Sequence, residues 1–223
     1  MKPANNELIK FLGKEDEAFQ VESVPIVFEH KVDIDEEFVS TKQFTNLVAA
    51  LQGANEGDMF NIRLTTPGGS LPSILPLLEA MNATDGHVHI DVISDVASAG
   101  TFLMMLADSV HINPYCTIMF HNASYGVGGH AGNVQALVKH YEKMLDSMTA
   151  EMYTDFLTEE EIGHLNDGLE IYLNPQDCYE RFAKRNDIRK AKNEEAMQRV
   201  VDAQQKRPAR RKKPAPPVAQ EDN

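Results

Sequence analysis

The sequence predicts an α/β fold whose parallel strands are joined by right-handed crossovers. Three observations lead there. Short apolar or β-branched runs at 24–32, 59–64, 88–93, 108–112 and 117–120 alternate with longer patterns of helical period. Two of those runs lead into turns of small and breaking residues, at 65–70 and 94–100. The chain has 223 residues and no visible internal repeat, which suits one domain with a sizeable core.

Residues 1–22 are polar and weakly patterned and read as an N-terminal arm. The folded domain is expected over 23–183, opening with the strand at 24–32. A helix to about Leu51 follows, its stripe formed by Phe38, Phe44, Leu47, Val48 and Leu51 and its end marked by Gly53. The strand at 59–64 runs into Thr65-Thr66-Pro67-Gly68-Gly69-Ser70, whose glycines allow positive φ and can aim N–H groups at an anion. The next helix is expected at about 73–81, with Pro76 blurring its start. The strand at 88–93 should end in a polar turn at Ser94 and Asp95, and a helix should begin at Ser98. After the strands at 108–112 and 117–120 comes a loop with four glycines between Tyr125 and Gly132. It lacks the strand and acidic residue of a dinucleotide fingerprint.

The longest helical pattern spans 133–156, with Val134, Leu137, Tyr141, Leu145, Met148, Met152 and Phe156 three or four apart. Thr158 and Glu161 form a capping box for a short helix that Asp167-Gly168 ends. A strand at 169–173 and a helix to about Ala183 complete the domain. Residues 184–223 are charged and poor in apolar side chains, and are expected to form a largely disordered tail.

Composition narrows the function. Net charge is −13, unevenly spread: 204–223 hold six basic and two acidic residues, while the rest holds 15 basic and 32 acidic. An acidic body argues against nucleic acid as the main ligand. No apolar run nears the roughly 20 residues that span a bilayer, so no membrane partner is expected. The N-terminus shows no apolar signal region, and Cys116 and Cys178 make no disulfide framework. A reducing, cytoplasmic setting is the default expectation. His, Cys, Asp and Glu are not grouped at metal-ligand spacing, so neither metal nor other cofactor is expected.

Serine acyl transfer needs a serine, a base within reach, and preorganised N–H donors. Ser98 sits where a strand turns into a helix, and His121 follows another strand. Strand ends on one edge of a sheet lie close together, so the two can meet. The Gly68-Gly69 turn, also after a strand, can supply one oxyanion N–H and Ala99 the other. Taken alone, Ser98 also fits as a small residue at a crowded helix start. His87, His89 and His164 read as surface or edge residues, and no direct catalytic role is expected of His130 in the glycine-rich loop.

The motifs T-P-G-G-S at 66–70, A-S-A-G at 97–100, T-I-M-F-H at 117–121 and G-G-x-x-G at 128–132 occur in the order found in the proteolytic subunit of the Clp protease, which the chain resembles from about Val24 to Phe182. The resemblance implies a crotonase-like α/β core of repeated β-β-α and βαβ units with a protruding long helix. It implies a serine endopeptidase acting on polypeptides, with Ser98 as nucleophile, His121 as general base, and Gly69 and Ala99 as oxyanion donors. It implies ring assembly through the 133–156 helix, as heptamers stacked face to face. For the third triad member the resemblance favours Glu170, before Tyr172-Leu173-Asn174, over Asp167.

The chain departs from the family pattern at Ala99, at Asn122-Ala123 and after Phe182, where the usual final strand motif is missing. Docking to an ATPase unfoldase is left open, as is a relationship to viral head-maturation proteases that work without one. A catalytically inactive ring or scaffold subunit is the alternative from another class. A crotonase-type acyl-CoA enzyme is a third, opposed by the retained serine and histidine.

Overall fold

The computed structural model describes residues 27–124 and 126–205. The expected N-terminal arm and the basic stretch after Gln205 lie outside them. Six strands form one sheet in the order β1 (Glu29–Ile34), β2 (Met59–Thr66), β3 (His87–Ala97), β5 (Ile118–Phe120) and β6 (Ile171–Leu173), with β4 (Ser109–Ile112) also paired to β3. Every pairing is parallel except β5 with β6. Helices α1 (Thr45–Gln52), α2 (Leu71–Ala83) and α3 (Gly100–Leu106) connect the early strands, and α4 (Ala131–Tyr153), α5 (Glu159–Asn166) and α6 (Pro175–Gln205) follow β5. The alternation read from sequence is therefore the architecture.

Strand period decides which side of the sheet is covered. Phe60, Ile62 and Leu64 of β2 and Val88, Ile90 and Val92 of β3 are buried in one cluster with Leu47 and Leu51 of α1, Ile74, Leu77 and Met81 of α2, and Leu103 and Met104 of α3. The opposite face is polar. There Asp33, Arg63, Asp91 and His111 stand in register across four strands, joined in pairs by Arg63 to Asp33 at 3.0 Å and His111 to Asp91 at 2.7 Å.

β3 differs from its expected form in a way that matters for the site. The sequence suggests a turn at Ser94-Asp95, but the strand continues through Ala97. Leu64 pairs with Val92 and Thr66 with Val96, so β3 carries the surplus residues as an irregularity over 93–95. All three side chains are exposed, and the polar pair Ser94 and Asp95 has the look of a turn. Asp95 holds the irregularity by accepting from Thr117 N–H at 2.8 Å. Past this point β3 leaves β4 and pairs with β5 through Val96–Ile118 and Ala97–Met119. A bulge that re-aims a strand end beside a site is a common device.

α6 is the larger correction. Expected to stop near Ala183, it runs to Gln205, through the segment read as the start of a disordered tail. Cys178 and Phe182 anchor its first turns in the core, and basic side chains hold it further along. Arg181 binds Glu161, Arg185 reaches the carbonyls of Met105 and Met152, and Lys192 meets Asp155 at 2.6 Å. These three bases recur at helical spacing on one face, a pattern that a search for apolar stripes passes over.

α2 starts at Leu71, two residues earlier than expected, and tolerates Pro76, which is exposed. α4 buries only its C-terminal half, at Leu145, Thr149 and Tyr153; Leu137 and Met144 are exposed. The capping box at Thr158 and Glu161 is present in α5.

Candidate active site

Two strand ends and one turn build the site. Ser98 follows the last residue of β3 with φ at +56°, alone among the described non-glycine residues in having positive φ. A serine in the left-handed region is strained and needs surroundings that over-determine it. Three bonds do so: Ser98 N–H donates to Met119 O of β5 at 2.9 Å, and Ser98 O accepts from Thr101 N at 3.0 Å and Thr101 Oγ1 at 2.7 Å. The bend turns the hydroxyl out of the sheet edge while α3 starts two residues later at Gly100. A β-carbon on Gly100 would stand 2.5 Å from Thr66 Cγ2, so only glycine lets α3 begin this close to β2.

His121 is the first residue after β5, which lies beside the end of β3. Its Nε2 lies 2.6 Å from Ser98 Oγ, and the pair is partly buried. The two residues singled out from sequence are thus brought together.

The Gly68-Gly69 turn is laid against the serine. Phe38, between β1 and α1, grips it with parallel-bridge bonds: Phe38 N to Gly68 O at 2.8 Å and Ser70 N to Phe38 O at 2.7 Å. Gly68 N–H donates to Thr66 Oγ1 at 3.0 Å, and that hydroxyl donates to Glu36 O at 2.8 Å. These bonds leave Gly69 N–H and Ala99 N–H without an acceptor among the described residues. Two free N–H groups from adjacent turns are what an oxyanion requires.

The carboxylate is placed but not engaged with the histidine. β5 and β6 pair antiparallel as Ile118–Leu173, Met119–Tyr172 and Phe120–Ile171, and His121 and Glu170 are the residues next beyond that last pair. Residues opposite and two apart on a strand share a face, so Glu170 is on the side of His121 and Tyr172. Its carboxylate accepts from the Tyr172 hydroxyl. That exposed bond raises the Tyr172 phenol above its usual pKa. Asp167 is the C-cap of α5, with its N–H on Gly163 O at 3.0 Å. Among the described residues neither carboxylate bonds His121.

Reading by sequence missed Phe38 as a clamp and Thr101 with Tyr153 as supports. Thr101 Oγ1 lies 2.6 Å from the Tyr153 hydroxyl, both residues buried. Ser-x-x-Thr at a helix start was the visible signal for Thr101; nothing in the sequence marks its partner 52 positions on. Among the described residues no group of three or more His, Cys, Asp or Glu is placed to hold a metal.

The chain belongs to the Clp protease family: the family model for Clp protease matches residues 21–180. It has the α/β fold of that family and is, in general class, a Clp-like peptidase. Members generally form oligomeric rings. The match ends inside α6. No curated protein matches the chain. Among the described residues, no helix is long and apolar enough to cross a membrane.

Proposed function

We propose that the chain is a serine endopeptidase using Ser98 and His121. The observation that carries this is the 2.6 Å approach of His121 Nε2 to the Oγ of a serine held at positive φ. In the proposed reaction Ser98 Oγ bonds to the peptide carbonyl carbon while its proton passes to His121 Nε2. The carbonyl electron pair moves to oxygen, where the N–H groups of Gly69 and Ala99 stabilise it. The C–N bond then breaks and the amine leaves with the proton from His121. Water, deprotonated by the same nitrogen, attacks the acyl-enzyme and releases the acid and the free serine. Glu170 is the proposed orienter of His121, supported by its register position. Asp167 is the second choice.

The fluorophosphonate probe tests the assignment directly. Labelling of wild type that is lost in Ser98→Ala and strongly slowed in His121→Ala is expected; equal labelling of wild type and Ser98→Ala rules the peptidase reading out. A second reading, an inactive scaffold subunit, is favoured by one contact, the hold of Tyr172 rather than His121 on Glu170. An unlabelled wild type would support it. The family's rings and the half-exposed α4 together support a ring homo-oligomer enclosing the sites, of heptamers singly or stacked. Light scattering tests it, and a monomer at micromolar concentration would contradict it.

A further inference from the structure

We infer that Thr101 and Tyr153 are positioning residues that aim the Ala99 N–H at the oxyanion, so that the last turn of α4 sets the activity of Ser98. This rests on the serine-peptidase reading. The peptide unit linking Ser98 and Ala99 is planar and trans, so its C=O and N–H point in opposite directions. Whatever fixes the carbonyl therefore fixes the N–H. Thr101 fixes it twice, from its backbone N–H at 3.0 Å and its hydroxyl at 2.7 Å.

The direction of the hydroxyl bonds follows from proton count. A carbonyl only accepts, so Thr101 gives its one hydroxyl proton to Ser98 O. Tyr153 must then donate to Thr101 Oγ1, at 2.6 Å. Tyr153 and Thr101 are buried, at 2% and 0% exposed, and the bond between their hydroxyls is buried, while the last bond, to Ser98 O, is partly buried. Water does not compete for the Tyr153–Thr101 bond, and each bond reinforces the next.

The aromatic ring of Tyr153 is fixed as well. It stacks on Phe102 with centroids 5.1 Å apart and meets Phe120 edge-on at 5.3 Å. Phe102 belongs to α3, and Phe120 directly precedes His121. One α4 residue thus touches the helix of the nucleophile and the strand of the base. The neighbouring α4 residue, Met152, shares Arg185 with Met105 at the far end of α3. α3 is tied to the end of α4 at both of its own ends, which couples any partner held by the exposed half of α4 to the oxyanion site.

The test compares Thr101→Val, Thr101→Ser and Tyr153→Phe for turnover of a fluorogenic peptide amide and for affinity to a peptide boronate, whose tetrahedral adduct uses the oxyanion donors. Thr101→Val is expected to lower kcat by about 10–100-fold with KM within twofold. Boronate affinity should fall in parallel. Thr101→Ser keeps the hydroxyl and should recover most of the loss. Tyr153→Phe keeps the ring packing and should lower kcat roughly 3–10-fold. If Thr101→Val does not fold, Tyr153→Phe decides alone. Wild-type kcat and boronate affinity in Tyr153→Phe would overturn the inference, as would equal losses in Thr101→Val and Thr101→Ser. A wild type that does not label with fluorophosphonate removes the peptidase reading and this inference together. A labelled wild type with an unchanged Thr101→Val removes this inference only.

Discussion

A β-carbon on Gly68 would stand 2.6 Å from the Cβ of Ser98 and 2.9 Å from the N of Ala99. The turn after β2 and the elbow after β3 are thus one packed unit, and Gly68 is the residue that allows it. Its φ of +89° is a second reason for glycine. Gly68→Ala must push the turn away from the elbow and is expected to lower kcat at least tenfold and stability by about 2 kcal/mol. Peptide turnover and urea denaturation measure the two effects. Wild-type kcat in Gly68→Ala would mean that the spacing of the two turns is not critical.

Glu170 and Asp167 separate by register. Glu170 directly precedes Ile171, whose partner Phe120 directly precedes His121, whereas Asp167 ends α5 three residues earlier. On the proposed mechanism, Glu170→Gln is expected to reduce kcat about a hundredfold or more, because the imidazole would lose the group proposed to orient it and balance its charge. Asp167→Asn should change kcat less than threefold. Tyr172→Phe frees Glu170 from its competing donor and should not lower kcat. The reverse ranking of the two carboxylate variants would move the third role to Asp167.

The sequence made the meeting of Ser98 with His121 legible because both follow strands, and strands of a parallel sheet end on one edge. It did not make the route legible. Ser94 and Asp95 look like a turn because residues of a bulge show their side chains to water, as turn residues do. α6 looks like a tail because the face that binds the body is basic, and an apolar stripe is what helical patterns are searched for. The Tyr153–Thr101 bond leaves no periodic mark at all, since its members lie on different helices.

Glu161 links α5 to α6 and should make that junction acid-sensitive. Arg181 grips both its oxygens, at 2.6 and 2.8 Å, and Thr158 N–H adds a bond at 2.8 Å. The Arg181 hydrogen bonds are the main reason that its carboxyl is held down to about 2, against an ordinary 4.5. A folded value below the unfolded one adds stability that is complete above about pH 5 and lost as pH falls toward 2. Arg181→Met is expected to cost about 1–2 kcal/mol at pH 7 and progressively less below pH 4. Urea midpoints across pH 3 to 7 read this out; a gap between variant and wild type that does not narrow would assign the loss to packing instead.

Arg185 presents a choice between charge and shape. It is 4% exposed; Nη1 donates to Met105 O at 2.8 Å and Nη2 to Met152 O at 3.3 Å, near the ends of α3 and α4. Burial lowers its pKa to about 10, so the group is still a cation at neutral pH. Helix C-termini favour a cation, but Nε is buried with no partner among the described residues, so desolvation is only partly offset. Arg185→Lys keeps the charge and loses the fork. One ammonium cannot span both carbonyls, and an under-bonded buried charge costs about 3–5 kcal/mol. Arg185→Met removes the charge and leaves two helix-end carbonyls short of a donor, at about 1–2 kcal/mol. The lysine variant is therefore expected to be the less stable, with its Tm below that of the methionine variant by roughly 2–16 °C at 2–4 °C per kcal/mol. Calorimetry on the full chain decides it: a lysine variant as stable as wild type would show that charge alone holds the ends of α3 and α4 together.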